Sequence, residues 1–263
     1  MSFPSPLAQP AHATPVSPPP APPQRELPVP APTGGRIVLW IVAILLVVVA
    51  LGLAVYFLAF LGPVASIVSG VLALVPLALV LTATRIIDRW EPEPRGLVIF
   101  ALAWGAVASV ALALGADLVI SLIAPGMSET FSAVVQAPVV EEIAKGLGVL
   151  LIFVAARRAF DGPVDGVVYG ALVGAGFAFT ENILYFADSL ITGGAESAAF
   201  TFFLRGILSP FAHVMFTAVT GYALGRLART GGRGAAALGP WALGLVGAIG
   251  LHALWNGSTV FAD

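Results

Sequence analysis

Seven apolar stretches, each about as long as a bilayer is thick, run through this chain and restrict how it can fold: Ile37–Leu61, Val64–Ile87, Leu97–Ile123, Phe131–Ala156, Val164–Ala187, Ala199–Leu224 and Ala235–Val260. A helix needs about 20 apolar residues to cross the hydrocarbon core. Inside lipid every backbone N–H and C=O must be satisfied within the structure, which favours helices over open strands. The expected fold class is therefore all-α, a polytopic transmembrane helical bundle of about seven spans. Only Gly62-Pro63, a turn signal, separates the first two stretches, so these should pair as an antiparallel hairpin. Composition agrees, since 59% of the 263 residues are hydrophobic and 10% are charged. A soluble fold of this size has too little interior to hide so much apolar surface.

The basic residues give an expected orientation. Arg25 and Arg36 precede the first stretch. Arg85, Arg89 and Arg95 follow the second, Arg157 and Arg158 the fourth, and Arg226, Arg229 and Arg233 the sixth. With seven spans all of these fall on one side, placing the N-terminus in the cytoplasm and the C-terminus outside it. Residues 1–35 are rich in Pro and Ala and are expected to form a disordered cytoplasmic tail, unlike a signal peptide, with the transmembrane domain occupying 36–263. His12 lies in that tail and is assigned no role. The chain has no cysteine, which excludes disulfides and thiolate metal sites. There is no basic patch of the kind that binds nucleic acid, and no zinc-helix motif, nucleophile elbow or phosphate loop. The composition suggests a bacterial source, and a multi-pass protein of the bacterial inner (cytoplasmic) membrane.

The informative residues are the ionisable ones inside the apolar stretches. A charge at the bilayer centre costs about 2.5–3.5 kcal/mol on insertion scales, so such residues face a protein interior or a watery cavity. Glu141, Glu142 and Lys145 lie on the fourth stretch, Glu181 on the fifth, His213 on the sixth and His252 on the seventh. Counted from one membrane face, these positions lie roughly 7 to 14 residues deep, a layer on the order of 10 Å thick at 1.5 Å per residue. Four helices running in alternating directions thus bring polar groups to one level. Lys145 is four residues after Glu141 and three after Glu142, so both carboxylates reach its ammonium. The two adjacent glutamates point about 100° apart and cannot easily share one role. A buried ion pair that merely fixes helix packing is the plain alternative. Glu181 reads as a metal ligand, an acceptor or a second base, or simply as an interhelical clamp, and Asn182 beside it can donate and accept. Gly170, Gly174 and Gly176 permit close helix approach. Asn256 shares a helix face with His252. Pro138 is expected to loosen the helix near the glutamates and admit water. Arg205 either pairs with an acid or reaches outward. Asp161 and Asp165 are expected to be solvated.

Five segments in order resemble the PrsW family of intramembrane proteases: Asp88-Arg89-Trp90-Glu91-Pro92-Glu93-Pro94, the EExxK motif from Glu141 to Lys145, the FxxxEN motif from Phe177 to Asn182, His213 in a stretch ending Thr220-Gly221-Tyr222, and His252-Ala253-Leu254-Trp255-Asn256. The similarity runs from Asp88 to Asn256. It extends to a wider superfamily with the CAAX-processing prenyl endopeptidases, bacteriocin-immunity-type proteins and a gamma-secretase scaffold subunit. In the prenyl endopeptidases the position like Glu181 is a histidine. The resemblance implies peptidase activity in which Glu141, Glu142 and His213 are essential, with His252 and Asn256 in support.

The expected function is hydrolysis of a peptide bond in a membrane-anchored protein, an anti-sigma factor being the substrate associated with the family. Glu141 or Glu142 would activate water. His213 and His252 would polarise the carbonyl, or bind zinc together with Glu181. Whether a metal takes part stays open at this point. Lys145, Glu181, Asn182 and Asn256 are supporting residues, and the partners are the lipid bilayer and the substrate protein. Two other readings are a non-catalytic membrane scaffold and a proton-coupled transporter, since intramembrane Glu and His also form proton relays.

Overall fold

The structure is a computed structural model that describes residues 33–260. Residues from Trp40 onward form one compact unit, and Met1–Leu39 a separate one. The expected disordered tail falls almost wholly outside the described residues, although the first helix already begins at Thr33. The described residues contain helices and turns and no strand.

α1 (Thr33–Phe60) and α2 (Pro63–Ile87) are joined at Gly62, whose φ of 79° only glycine adopts readily. α3 (Arg95–Ala103) continues through a π turn (Trp104–Ser109) into α4 (Val110–Ile123). A single turn, α5 (Glu129–Phe131), leads through a second π turn (Ser132–Gln136) into α6 (Ala137–Ala155). A π turn thus precedes Pro138, while Pro138 and the two glutamates lie in regular helix. The turn ends the region where the missing proline N–H would be felt. α7 (Pro163–Phe202), a third π turn (Phe203–Leu208), α8 (Ala212–Arg229), a short 3₁₀ turn (Gly234–Ala237) and α9 (Leu238–Val260) complete the chain.

Among the described residues five helical segments are long and apolar enough to cross a membrane: Trp40–Phe60, Pro63–Ile87, Arg95–Ile123, Pro163–Arg229 and Gly234–Ser258. The sequence led us to expect seven. Two causes account for the difference. The fourth stretch, now α6, carries Glu141, Glu142 and Lys145 and is too charged to count on apolarity alone. The fifth and sixth stretches are merged into one segment of 67 residues. The sixth stretch is also not one helix. It breaks at Ser209-Pro210-Phe211, where Pro210 has no N–H to donate and forces the preceding residue out of helical geometry.

The merged segment doubles back on itself. Gly194 (φ 71°, ψ −165°) reverses the chain inside α7. Beyond it Ser189 and Thr201 share a hydrogen bond of 2.8 Å, and Phe186 packs on Phe202. The pairing continues into α8. A Cβ on Gly174 would lie 2.6 Å from the His213 carbonyl oxygen, one on Gly170 2.7 Å from that of Thr217, one on Gly166 2.1 Å from that of Gly221, and one on Gly225 2.4 Å from that of Gly162. Each facing pair stands at nearly equal chain distance from Gly194. Glycine at every fourth position (Gly162, Gly166, Gly170, Gly174) thus gives α7 a flat strip on which the α8 backbone rests. This is how helices associate where lipid offers no hydrophobic drive. The opposite side of α7 uses the same device. Gly176 abuts the Leu102 carbonyl, and Gly105 in the first π turn abuts that of Val173.

At the other end of α7 the loop after α2 is latched down. The Glu93 N–H donates to Asp88 Oδ2 (3.0 Å), and Tyr169, fully buried in α7, donates its hydroxyl to the Glu93 carboxylate. Burial pushes the Glu93 carboxyl up to about 7 against the opposing Tyr169 hydrogen bond, and Asp165, Asp88 and Asp161 push the same way. Asp165 is not merely solvated, as the sequence suggested. Its Oδ2 accepts the N–H of Asp161 and of Gly162, each at 2.8 Å, and so ties the start of α7.

Two predictions follow from this packing. Gly166→Val should lower the thermal midpoint in detergent, by about 1–3 kcal/mol of overpacking. Gly115→Ala, where nothing lies within 4 Å of the added carbon, should leave it unchanged; equal midpoints for the two would refute the close-approach account. Separately, the Glu93 carboxyl is held protonated in the fold, so its contribution is complete below about 4.5 and fades as pH rises through about 7. Thermal midpoints measured from pH 4.5 to 8 should therefore fall less steeply for Glu93→Gln than for the unaltered chain.

Candidate active site

α6, α7, α8 and α9 each contribute a polar side chain to one buried cluster. Lys145 is at its centre and completely buried, as is Glu142. The Lys145 ammonium lies 2.6 Å from Glu142 Oε1, 3.5 Å from Glu141 Oε2 and 3.1 Å from His213 Nδ1, with the Phe177 ring 4.1 Å away on its apolar side. The i,i+3 and i,i+4 spacings predicted the two glutamate contacts. They did not predict the histidine from α8.

The two glutamates are not equivalent. Glu142 is saturated: besides Lys145, it accepts from Thr217 (3.2 Å, Oε2) and meets His252 Nδ1 (3.0 Å, Oε1). Glu141 Oε2 makes no hydrogen bond among the described residues, although it is buried. The residue Glu141 stands in the wall of a cavity of about 290 Å³ that also includes Asp117, Phe177, Glu181, Tyr185 and Asp188. A second cavity of about 340 Å³, between α4 and the π turn before α6, shares Asp117 with the first, and Gln136 donates to Asp117 Oδ1 at 2.9 Å.

Both histidines repeat one arrangement. His213 Nε2 meets Glu181 Oε2 at 2.8 Å, and its Nδ1 faces Lys145. With the ammonium donating, Nδ1 accepts and Nε2–H donates to Glu181. His252 places Nδ1 on Glu142 and Nε2 toward Glu141 Oε2, 3.9 Å away. Each imidazole therefore has one nitrogen on a carboxylate and the other turned inward. The rings stand 5.0 Å apart and perpendicular, and Phe216 stacks on His252. Glu181 is itself held by Arg205, which also donates to Asn182 Oδ1 (2.9 Å) and lies over Tyr185. That answers the question left open for Arg205: it pairs with an acid. Asn256 donates to the Ala133 carbonyl (2.8 Å) in the π turn before α6.

Ligand atoms of Glu141, His213 and His252 lie within 4.8 Å of one another. The fit to a metal ion is good on three counts. One carboxylate and two imidazoles are a donor set used by catalytic zinc. Glu141 Oε2 is a buried acceptor with no hydrogen bond. Each histidine is backed by a carboxylate, as metal-bound histidines usually are. Glu181, expected from sequence as a ligand, instead stands behind His213, and Glu141 takes its place in the group. The Lys145 ammonium touches two of the three donors, so an ion would share its space with that charge.

Sequence reasoning missed Thr217, although it lies four residues after His213 on the same face of α8. It also missed the indoles that hold α6 in place. Trp104 donates to the Ala144 carbonyl (3.0 Å) with Ser109 beside it (3.2 Å), and Trp241 donates to that of Gly146 (2.8 Å). These carbonyls flank Lys145, so its stretch of α6 is held from two sides.

A sequence profile of the PrsW family of intramembrane metalloproteases matches residues 93–263. The chain belongs to that family. Four of the five segments singled out in the sequence lie in the matched region or overlap it only there, while most of the Asp88–Pro94 segment precedes it. Among curated relatives, Protease PrsW of Geobacillus kaustophilus is 31% identical over 144 residues, 53% of this chain and 57% of the relative. Protease PrsW of Clostridioides difficile is 30% identical over 153 residues, 57% and 62% of the two chains. Protease PrsW of Bacillus subtilis is 41% identical over 78 residues, 30% and 32%. The chain thus spans less than two thirds of each relative's length in these alignments. No solved structure matches it.

Removing Glu142 would leave the Lys145 charge buried against a weaker partner. Glu142→Ala should cost about 3–5 kcal/mol of stability, and Glu142→Leu combined with Lys145→Met should recover much of it. Thermal unfolding of the two in the same detergent checks this, and equal losses would mean that the pair carries no mutual coupling.

Proposed function

We propose that this chain is an intramembrane endopeptidase that hydrolyses a peptide bond of a membrane-anchored protein, with Glu141 as the carboxylate that activates water. The observation that carries this reading is the asymmetry of the glutamate pair: Glu141 stands in a cavity wall and its Oε2, ion-paired with Lys145 at 3.5 Å, takes no hydrogen bond, whereas Glu142 is fully occupied.

Each group then has a defined task. Glu141 takes a proton from water in the cavity as the water oxygen bonds to the scissile carbonyl carbon. The carbonyl electron pair moves to oxygen, where the Lys145 ammonium supplies positive charge. As the carbon–nitrogen bond breaks, Glu141 returns its proton to the leaving amine. Glu142 is a positioning residue that holds Lys145 and fixes which His252 nitrogen faces inward, and Glu181 does the same for His213. Were a metal ion bound, zinc by donor type, Glu141 would be a ligand beside His213 and His252 and would no longer serve as the free base. A bound ion would polarise the carbonyl and acidify water.

The membrane path supports the same reading. At 1.5 Å per residue the 67-residue segment Pro163–Arg229 is about three times the hydrocarbon thickness, so its reversal at Gly194 divides it into two crossings. The three charges of α6 pair with one another inside the protein, so this helix too can cross. Seven spans result. Arg85, Arg89, Arg95, Arg157, Arg158, Arg226, Arg229 and Arg233 then share one face, taken as cytoplasmic, with the C-terminus on the other. The Glu141 cavity lies toward the opposite, extracytoplasmic face of what would be a bacterial inner membrane.

Glu141→Gln, purified and reconstituted with a membrane-anchored reporter peptide, should lose at least roughly 1,000-fold in cleavage rate while unfolding at the same temperature. Cleavage at an unchanged rate would exclude Glu141 as the base. Elemental analysis should find one metal ion per chain, lost in His252→Ala; an active preparation free of metal would leave catalysis to the side chains alone.

A further inference from the structure

A larger cavity, about 650 Å³, lies at the end of α6 away from the glutamates and is lined by Phe153, Val154, Arg157, Arg158, Arg233 and Gly234 among others. Its size suits a small-molecule group. The three arginines differ in what they already do. Arg157 Nε donates to the Gly232 carbonyl (3.2 Å), and its terminal nitrogens donate to those of Ala228 (2.6 Å) and Phe160. It is thereby committed to closing the end of α8. The side chains of Arg158 and Arg233 make no hydrogen bond or ion pair among the described residues, and no acidic side chain lines the cavity. Three like charges around one hollow without a counter-ion create a positive potential that attracts an anion.

The neighbouring surface narrows the choice of anion. Ile143, Leu151 and Val154 are exposed on α6, and their spacing puts them on one face. That apolar strip runs toward the arginines, and Val154 belongs both to the strip and to the cavity wall. A soluble anion would gain nothing from the strip, whereas a lipid would use strip and charge together.

We propose that this cavity binds the phosphate head group of an anionic phospholipid, held by Arg158 and Arg233, with an acyl chain lying along the Ile143–Val154 face of α6. The proposal rests on α6 being embedded in the membrane, as argued above, and not on catalysis, so loss of peptidase activity in a Glu141 variant does not bear on it.

The test uses the full chain in nanodiscs of phosphatidylcholine, with or without phosphatidylglycerol. Phosphatidylglycerol should raise the thermal midpoint by roughly 5 °C. The rise should vanish in Arg158→Gln combined with Arg233→Gln, and persist in Arg85→Gln combined with Arg89→Gln, which removes the same charge elsewhere. Native mass spectrometry should show a retained phosphatidylglycerol in the unaltered chain and the Arg85/Arg89 variant only. An undiminished rise in the Arg158/Arg233 variant overturns the proposal, and so does an equal loss in both double variants, which would indicate general surface charge. A rise of the same size from inorganic phosphate in pure phosphatidylcholine, abolished by the same two arginine changes, would assign the cavity to a soluble anion and overturn the lipid assignment.

Discussion

The ammonium of Lys145 is the charge around which the membrane core of this protein is arranged. With no water to solvate it, its position is tolerable only because Glu142, Glu141, His213 and the face of Phe177 surround it. Those partners come from three helices, so satisfying one lysine fixes how α6, α7 and α8 sit together. His252 joins through Glu142 and brings in α9. The site and the fold are then one problem: the groups proposed for the chemistry also keep the bundle from holding an unpaired charge.

Satisfaction is uneven, and the unevenness is informative. Glu142 and Glu181 each have two or more partners and serve as acceptors behind a histidine. Glu141 has the Lys145 ammonium at 3.5 Å, His252 at 3.9 Å, no hydrogen bond to its Oε2 and a hollow beside it. A carboxylate left short of hydrogen bonds in a low-dielectric interior is costly, which makes Glu141 the candidate for chemistry. The Trp104, Ser109 and Trp241 contacts to α6 hold that side chain at the wall of the cavity and not within the packing.

Much of this was legible from the residues. The spacing of Glu141, Glu142 and Lys145 fixed their contact, and the common depth of His213 and His252 brought them to the right layer. What the sequence could not supply was rotation about each helix axis. Depth along a helix follows from counting, but which of two adjacent glutamates points at a cavity depends on packing partners such as Trp104 and Thr217. For the same reason the sequence left Glu181 open as a metal ligand, an acceptor, a second base or a clamp, and the structure places it as the acceptor behind His213. The span count differs because α6 carries three charges, which apolarity alone does not place in a membrane, and because α7 runs on as one segment past the reversal at Gly194.

The glycine strip has a consequence for where the chain can change length. Gly174 meets His213, Gly170 meets Thr217, and Gly162 meets Gly225 because each couple is counted off from the same hinge at Gly194. Adding or deleting a single residue in the helical run between Gly174 and the reversal at Gly194 would rotate the glycine strip by about 100° against α8. Cβ atoms of α7 would then meet the α8 backbone where glycines do now, and both His213 and Thr217 would be carried off their carboxylates together. The run from Gly174 to Gly194 therefore behaves as a fixed measure, whereas the Gly126 turn and the Gly231–Gly234 turn, which set no such register, leave room for insertion.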